Sequence, residues 1–251
     1  MRVYPGKRVL DGHWIEPTEE QVQALAEDKE KIATLRKRLS NVSWFMAALS
    51  EYVARRSNRE DDCDGRFFSG RYRCREIRTD GGLLIAGMYV DLNQLRAGEV
   101  LTPEDSRHCS VWYRIQARRT TSADISQRSP DDWLAALTLA ADHVGDVPSD
   151  NGRRASDKGL LPISLEDYLR LLDWAGRETR AGQRGAIPAD LAPILERLGL
   201  AGDNFLEAVE KFPDLFPRLA GPVSALVERA QEVGRRWMHG VGPAAKVFQE
   251  S

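Results

Sequence analysis

The sequence predicts a mainly α-helical protein with one short extended segment, and three observations carry that prediction. Apolar residues recur at spacings of three and four over most of the chain. Capping residues and glycines mark where those periodic stretches start and stop. Strict alternation, the mark of a strand, is confined to residues 71–76.

Taken in order, "EPTEEQVQALAEDKEKIATLRKRL" opens with Thr18 and Gln21 at capping-box spacing. Val22, Leu25, Ala26, Ile32, Leu35 and Leu39 give it an imperfect helical stripe. A second helix starts at Asn41, with Val42, Phe45, Met46, Leu49 and Val53 on one face, and "NREDDCDG" ends it in a polar turn. In "GRFFSGRYRCREIR" aromatic residues are interleaved with arginines, and alternation puts Arg71, Arg73 and Arg75 on one face of an extended strand. A helix follows from about Asp80, with Gly98 as its stop and Leu84, Met88, Leu92 and Leu95 as its apolar face.

That helix carries "GMYVDLNQLRAG". At about 100° per residue, Asn93 lies about 40° from Tyr89, and Arg96 about 20° on its other side. A phenol, an amide oxygen and a guanidinium in one row could handle a phosphate. They could equally be a tyrosine at the edge of the core and two solvated polar groups, and spacing alone leaves both readings open.

Periodicity weakens from Thr102 to about Ser129, and Asp131–Val144 reads as a short helix containing Trp133, Leu134, Leu137 and Ala141. "GDVPSDNGRRASDKG" is the best candidate linker. Beyond it everything reads as helix. Ser164 with Glu166 and Asp167 opens one segment, Leu191–Leu198 stops at Gly199, and Phe205–Phe212 follows. Val223, Leu226, Val227, Ala230, Val233 and Trp237 make the last stripe. The expected organisation is therefore a first domain over 1–120, a linker with a short helix over 121–160, and a C-terminal helical bundle over 161–245.

Composition narrows the class. The 251 residues are 42% hydrophobic and 29% charged, as in an ordinary globular protein. No apolar run approaches the roughly 18 residues that would span a bilayer, and "MRVYPGKRVLDGHW" lacks the apolar core of a signal peptide. Cys63, Cys74 and Cys109 are an odd number without close spacing, which points to a reducing cytoplasm rather than a disulfide framework. The net charge is only −2, but between Lys31 and Arg78 twelve basic residues face six acidic ones. Most of the twelve are arginines, whose planar fork suits phosphate.

Residues 39–111, with the aromatic-basic "GRFFSGRYR" and then "YVDLN", "RAG" and "TPEDS", resemble the C-terminal part of the catalytic domain of bacterial single-tyrosine transposases, the REP-associated kind included. "SLEDYLRLLDWAGRETR" and "RGAIPADLAPILERLGL" are similar to the helical tail of many relatives. The resemblance implies the remnant of an α+β, ferredoxin-like catalytic domain followed by that tail. It makes Tyr89 the nucleophile that forms a 5′-phosphotyrosine link, and Asn93 a metal ligand one turn further on. It also implies a divalent metal, magnesium or manganese, and single-stranded or hairpin DNA as partner. Arg66, Arg71, Arg73, Arg75 and Arg96 are the candidate DNA-binding residues. No membrane is involved.

The family's metal is held chiefly by a His-hydrophobic-His pair upstream of this region. Here the histidines are His13, His108, His143 and His239, and no two are two residues apart. Only a loop and a helix precede Leu39, so the first half of the catalytic domain is expected to be missing. Gln94 stands where a proline is usual, and "TDGG" opens the Tyr89 helix poorly, each glycine costing about 1 kcal/mol against alanine. The expected metal site is thus incomplete, with Asn93 as its one ligand, unless His13, His108 or a second subunit in a homodimer adds others. Three readings remain: an impaired transposase, a DNA-hairpin-binding protein without catalysis, and a helical interaction protein with a silent site.

Overall fold

The computed structural model describes residues 18–119, 129–139, 158–181, 188 and 190–249. The chain divides into two compact units, residues 1–73 and 74–251. Among the described residues the fold is mainly helical, with one small parallel sheet of two strands.

In the first unit the expected long helix is two, α1 (Glu19–Glu27) and α2 (Lys29–Leu39). Thr18 and Gln21 form the capping box at the start of α1. The break falls at Asp28, whose carboxylate accepts the Lys31 N–H at 2.9 Å and so restarts the helix as an N-cap. Helix α3 (Val42–Glu60) begins where expected, with Asn41 accepting from the N–H groups of Ser43 and Trp44. No residue from 18 to 73 is buried.

The second unit starts with β1 (Glu76–Ile77), which pairs in parallel with β2 (Leu219–Ala220). Regular strand structure begins only at Glu76, so the expected row of arginines over 71–76 is not a ladder strand. Arg75 donates to the carbonyls of Phe216 and Pro213 at 3.1 and 3.3 Å, which anchors it beside β2.

Helix α4 (Asp80–Asp91) opens with the Thr79 hydroxyl accepting from Gly82 N–H at 3.1 Å. Its two opening glycines, Gly81 and Gly82, are unfavourable by propensity and are called for by packing. A Cβ on Gly81 would lie 2.6 Å from the Leu198 carbonyl oxygen, and one on Gly82 3.1 Å from that of Ala220. The expected helix to Gly98 breaks after Asp91 into α5 (Asn93–Arg96), and Gly98 at φ +73° turns the chain away as expected.

Helix α6 (Ser110–Arg119) occupies a stretch where periodicity had predicted nothing regular. Asp131–Leu139 are turns, with Thr138 bridged to Leu161, so the helix expected from Asp131 is absent that far. Residues 140–144 of that expectation lie outside the described residues. Buried Arg114 of α6 donates to the Ala135 carbonyl at 2.9 Å, a long-range tie that competes with helix formation there.

The remaining helices are α7 (Leu165–Ala181), α8 (Ala192–Arg197), α9 (Gly202–Glu210), α10 (Phe212–Leu215), α11 (Val223–Glu232) and α12 (Val241–Val247). Ser164 accepts from Asp167 N–H to start α7, and Gly199 at φ +66° follows α8, both as expected. Helix α11 ends at Glu232, so Trp237 lies outside it rather than on its apolar stripe, and is 61% exposed.

One core serves the whole unit. Leu84, Ile85 and Met88 of α4 and Val111 of α6 share it with Leu171, Leu195, Phe205 and Leu226 from the later helices. Each fully buried side chain of this size contributes roughly 2 kcal/mol. The compact units divide between Arg73 and Cys74, and segments on either side of 121–160 share one core. No described helix is long and apolar enough to cross a membrane.

Candidate functional site

The α4–α5 junction has two sides with different chemistry. On one side the three residues of the predicted stripe do meet. The half-buried ring of Tyr89 packs on Phe212, with centroids 5.9 Å apart, and the Arg96 guanidinium carbon sits 4.0 Å from the Tyr89 ring centroid. Such a cation over an aromatic face is an attractive contact. Arg96 also donates to the carbonyls of Tyr89 at 2.7 Å, Glu210 at 2.8 Å and Val209 at 3.2 Å.

Val209 and Glu210 close α9, where free carbonyls and the negative end of the helix dipole favour a cation. Arg96 is therefore the side-chain cap of α9, and its Nε is buried without a hydrogen-bond partner. Burial lowers the guanidinium's pKa, opposed by the neighbouring Tyr89 phenol. Asn93 is exposed, and its Oδ1 lies 3.4 Å from Arg96 Nη2.

On the other side of the junction is a residue that the sequence reading passed over. Asp91 is 3% exposed and accepts hydrogen bonds from three donors. Tyr168 Oη of α7 donates to it at 2.7 Å, Ser110 Oγ at 3.0 and 3.1 Å, and Val111 N–H at 3.3 Å. The carboxylate thus caps the start of α6 and ties α7 to α4. Burial pushes its pKa up, with the hydrogen bonds pulling the other way. Burial and the Asp91 charge hold the Tyr168 phenol well above its ordinary range. Burial also raises the neighbouring Cys109 thiol.

A sequence signal for this existed. By helical geometry Asp91 falls within about 20° of Leu84 and 60° of Met88, inside the apolar stripe. A carboxylate there has to be paired.

The candidate DNA-binding arginines fall into two groups. Arg66, Arg71 and Arg73 are exposed in the first unit, Arg71 lying 5.7 Å from the Tyr72 ring centroid. Exposed Phe67 and Phe68 pack edge to face beside them, and Trp44 carries Arg38 at 4.8 Å. Arg75 and Arg96, in the second unit, are engaged by backbone carbonyls. An open cleft of about 530 Å³ lies at the other end of α4 against Arg78, Thr79 and Arg197. That is roughly 14 Å along the helix from Tyr89.

No family of known proteins, no characterised protein and no solved structure matches this chain.

Proposed function

We propose that this chain is a transposase-like protein that binds single-stranded or hairpin DNA through its first unit and does not cut it. In this reading residues 1–120 hold what is left of a ferredoxin-like catalytic domain, and the later helices are its tail. The observation that carries the proposal is the exposed row Arg66, Arg71 and Arg73 beside Phe67 and Phe68, in a unit none of whose described residues is buried. Cations that meet phosphates and rings that stack on bases are the two components of single-strand binding.

The silent chemistry rests on Arg96. The residues around Asn93 do not fit a magnesium or manganese ion, because the Arg96 guanidinium approaches its amide oxygen to 3.4 Å. A dication bound there would lie roughly 5 Å from a fixed positive charge, a repulsion of several kcal/mol at an effective dielectric near 20. Such ions also require several oxygen donors, and one amide supplies one. Tyr89 meanwhile is packed between Phe212 and Arg96, and a phenol hydroxyl needs activation to attack a phosphodiester.

The test uses labelled hairpin DNA with magnesium or manganese present, run with wild type and Tyr89→Phe on native and denaturing gels. Both proteins are expected to shift the DNA on the native gel and to leave no covalent adduct on the denaturing one. An adduct with wild type that disappears in Tyr89→Phe overturns the non-cutting assignment. Absence of any native shift overturns DNA binding.

A further inference from the structure

The loop after α11 presents an exposed aromatic ring next to two arginines in the chain. Gly234, at φ +65°, ends the helix: its N–H donates to Gln231 O at 3.0 Å and the Arg235 N–H to Ala230 O at 2.7 Å. This is the Schellman arrangement, which turns the chain sharply away from the helix axis. The chain returns through Gly240 at φ +105°, where a Cβ would come within 3.2 Å of the Leu215 carbonyl. Between the two glycines only Met238 is buried, at 8% exposure, and it pins the loop to the core.

Arg235, Arg236, Trp237 and His239 all face solvent, Trp237 lying edge-on to the His239 ring at 4.6 Å. The nearest acidic residue in sequence, Glu232, is engaged by Arg78 and Arg229. Among the described residues no carboxylate pairs with Arg235 or Arg236.

We propose that residues 235–239 form a second DNA contact, in which Trp237 stacks on an unpaired base while Arg235 and Arg236 hold the adjoining phosphates. The proposal rests on the DNA-binding reading above and assigns it a site in the second unit. An indole left 61% exposed carries a large apolar area in water, and a flat base covers it without needing a matched pocket. Two arginines without a carboxylate partner, immediately before the tryptophan in the chain, supply the cations that the phosphates adjoining such a base require.

Intrinsic tryptophan fluorescence of the full chain, titrated with oligothymidylate of about twenty nucleotides, tests this. Wild type is expected to be quenched, Trp237→Phe to lose most of that quenching, and Trp237→Ala to bind roughly tenfold more weakly. Because the ring is exposed, circular dichroism of both variants should match wild type. Binding by wild type with quenching and affinity unchanged in the variants overturns the loop assignment and leaves the first unit as the DNA site. No binding by wild type overturns both. Quenching of Trp237 by anionic phospholipid vesicles and not by the oligonucleotide also overturns it, making the loop a membrane contact.

Discussion

Helices α2 and α3 in the first unit and α4 and α7 in the second are all written with apolar residues at helical spacing, yet their fates differ. Leu39, Val42, Trp44, Phe45 and Leu49 are more than two-fifths exposed. Leu84, Ile85, Met88, Leu171 and Leu172 are all but inaccessible. Amphipathic patterning decides that a helix has a side to cover; it does not decide what covers it. In the second unit the covering comes from helices far away in sequence. In the first, the described chain supplies little, and the aromatic and arginine residues assigned to DNA lie in the exposed segment that follows α3.

The sharpest way to break this comparison is a matched truncation in each unit. Leu84→Ala is expected to destabilise the second unit by about 3 kcal/mol, the transfer cost plus that of the cavity left behind. Leu49→Ala, at 43% exposure, should change stability by no more than about 0.5 kcal/mol. Urea unfolding of both variants measures the pair, and similar losses would show that α3 is packed as firmly as α4.

Asp91→Ala should come next, at about 3 kcal/mol, because it strands the buried Tyr168 hydroxyl and uncaps α6 together. Its pH signature has a definite sign. Burial raises the folded-state pKa of Asp91 above the ordinary 3.8, so the folded protein holds that proton more tightly than the unfolded chain does. The resulting contribution is fully present below about pH 4 and is lost as pH rises through the raised value. Thermal melts of wild type against Asp91→Asn should therefore show wild type losing ground as pH climbs from 4. A gain over that range would mean that the hydrogen bonds outweigh burial.

A smaller effect is expected from Gly81→Ala, roughly 1–2 kcal/mol destabilising despite alanine's better helix propensity, because the added methyl meets the Leu198 carbonyl. Stabilisation by this substitution would show that α4 and the Leu198 turn are free to move apart.

What was legible in the sequence was local. Thr18, Asn41, Ser164, Gly98 and Gly199 mark helix ends through contacts within a few residues, and all of them do so in the fold. The stripe of Tyr89, Asn93 and Arg96 was legible for the same reason. What was hidden depends on distant partners. The pairing of Glu76 with Leu219, the hold of Phe216 on Arg75 and that of Glu210 on Arg96 join residues more than a hundred positions apart. No periodicity in either segment announces them. Helix α6 was missed because its start is set by Asp91, from another helix, rather than by a local cap. Asp91 itself was legible in principle, as a carboxylate on an apolar stripe.

The central claim is that DNA binding lies with the exposed arginines of the first unit and not with those engaged in the second. It is tested most directly by the salt dependence of hairpin binding. Fluorescence anisotropy of labelled hairpin DNA would be measured over a range of salt concentrations for wild type, the triple variant Arg66→Ala, Arg71→Ala, Arg73→Ala, and Arg75→Ala alone. On a plot of log affinity against log salt, each lost phosphate contact lowers the slope by about 0.7 for single strands and 0.9 for duplex. The triple variant should therefore be shallower than wild type by about 2, and Arg75→Ala should keep the wild-type slope. A triple variant with the wild-type slope, or an Arg75→Ala slope reduced as much as the triple variant's, would contradict the account.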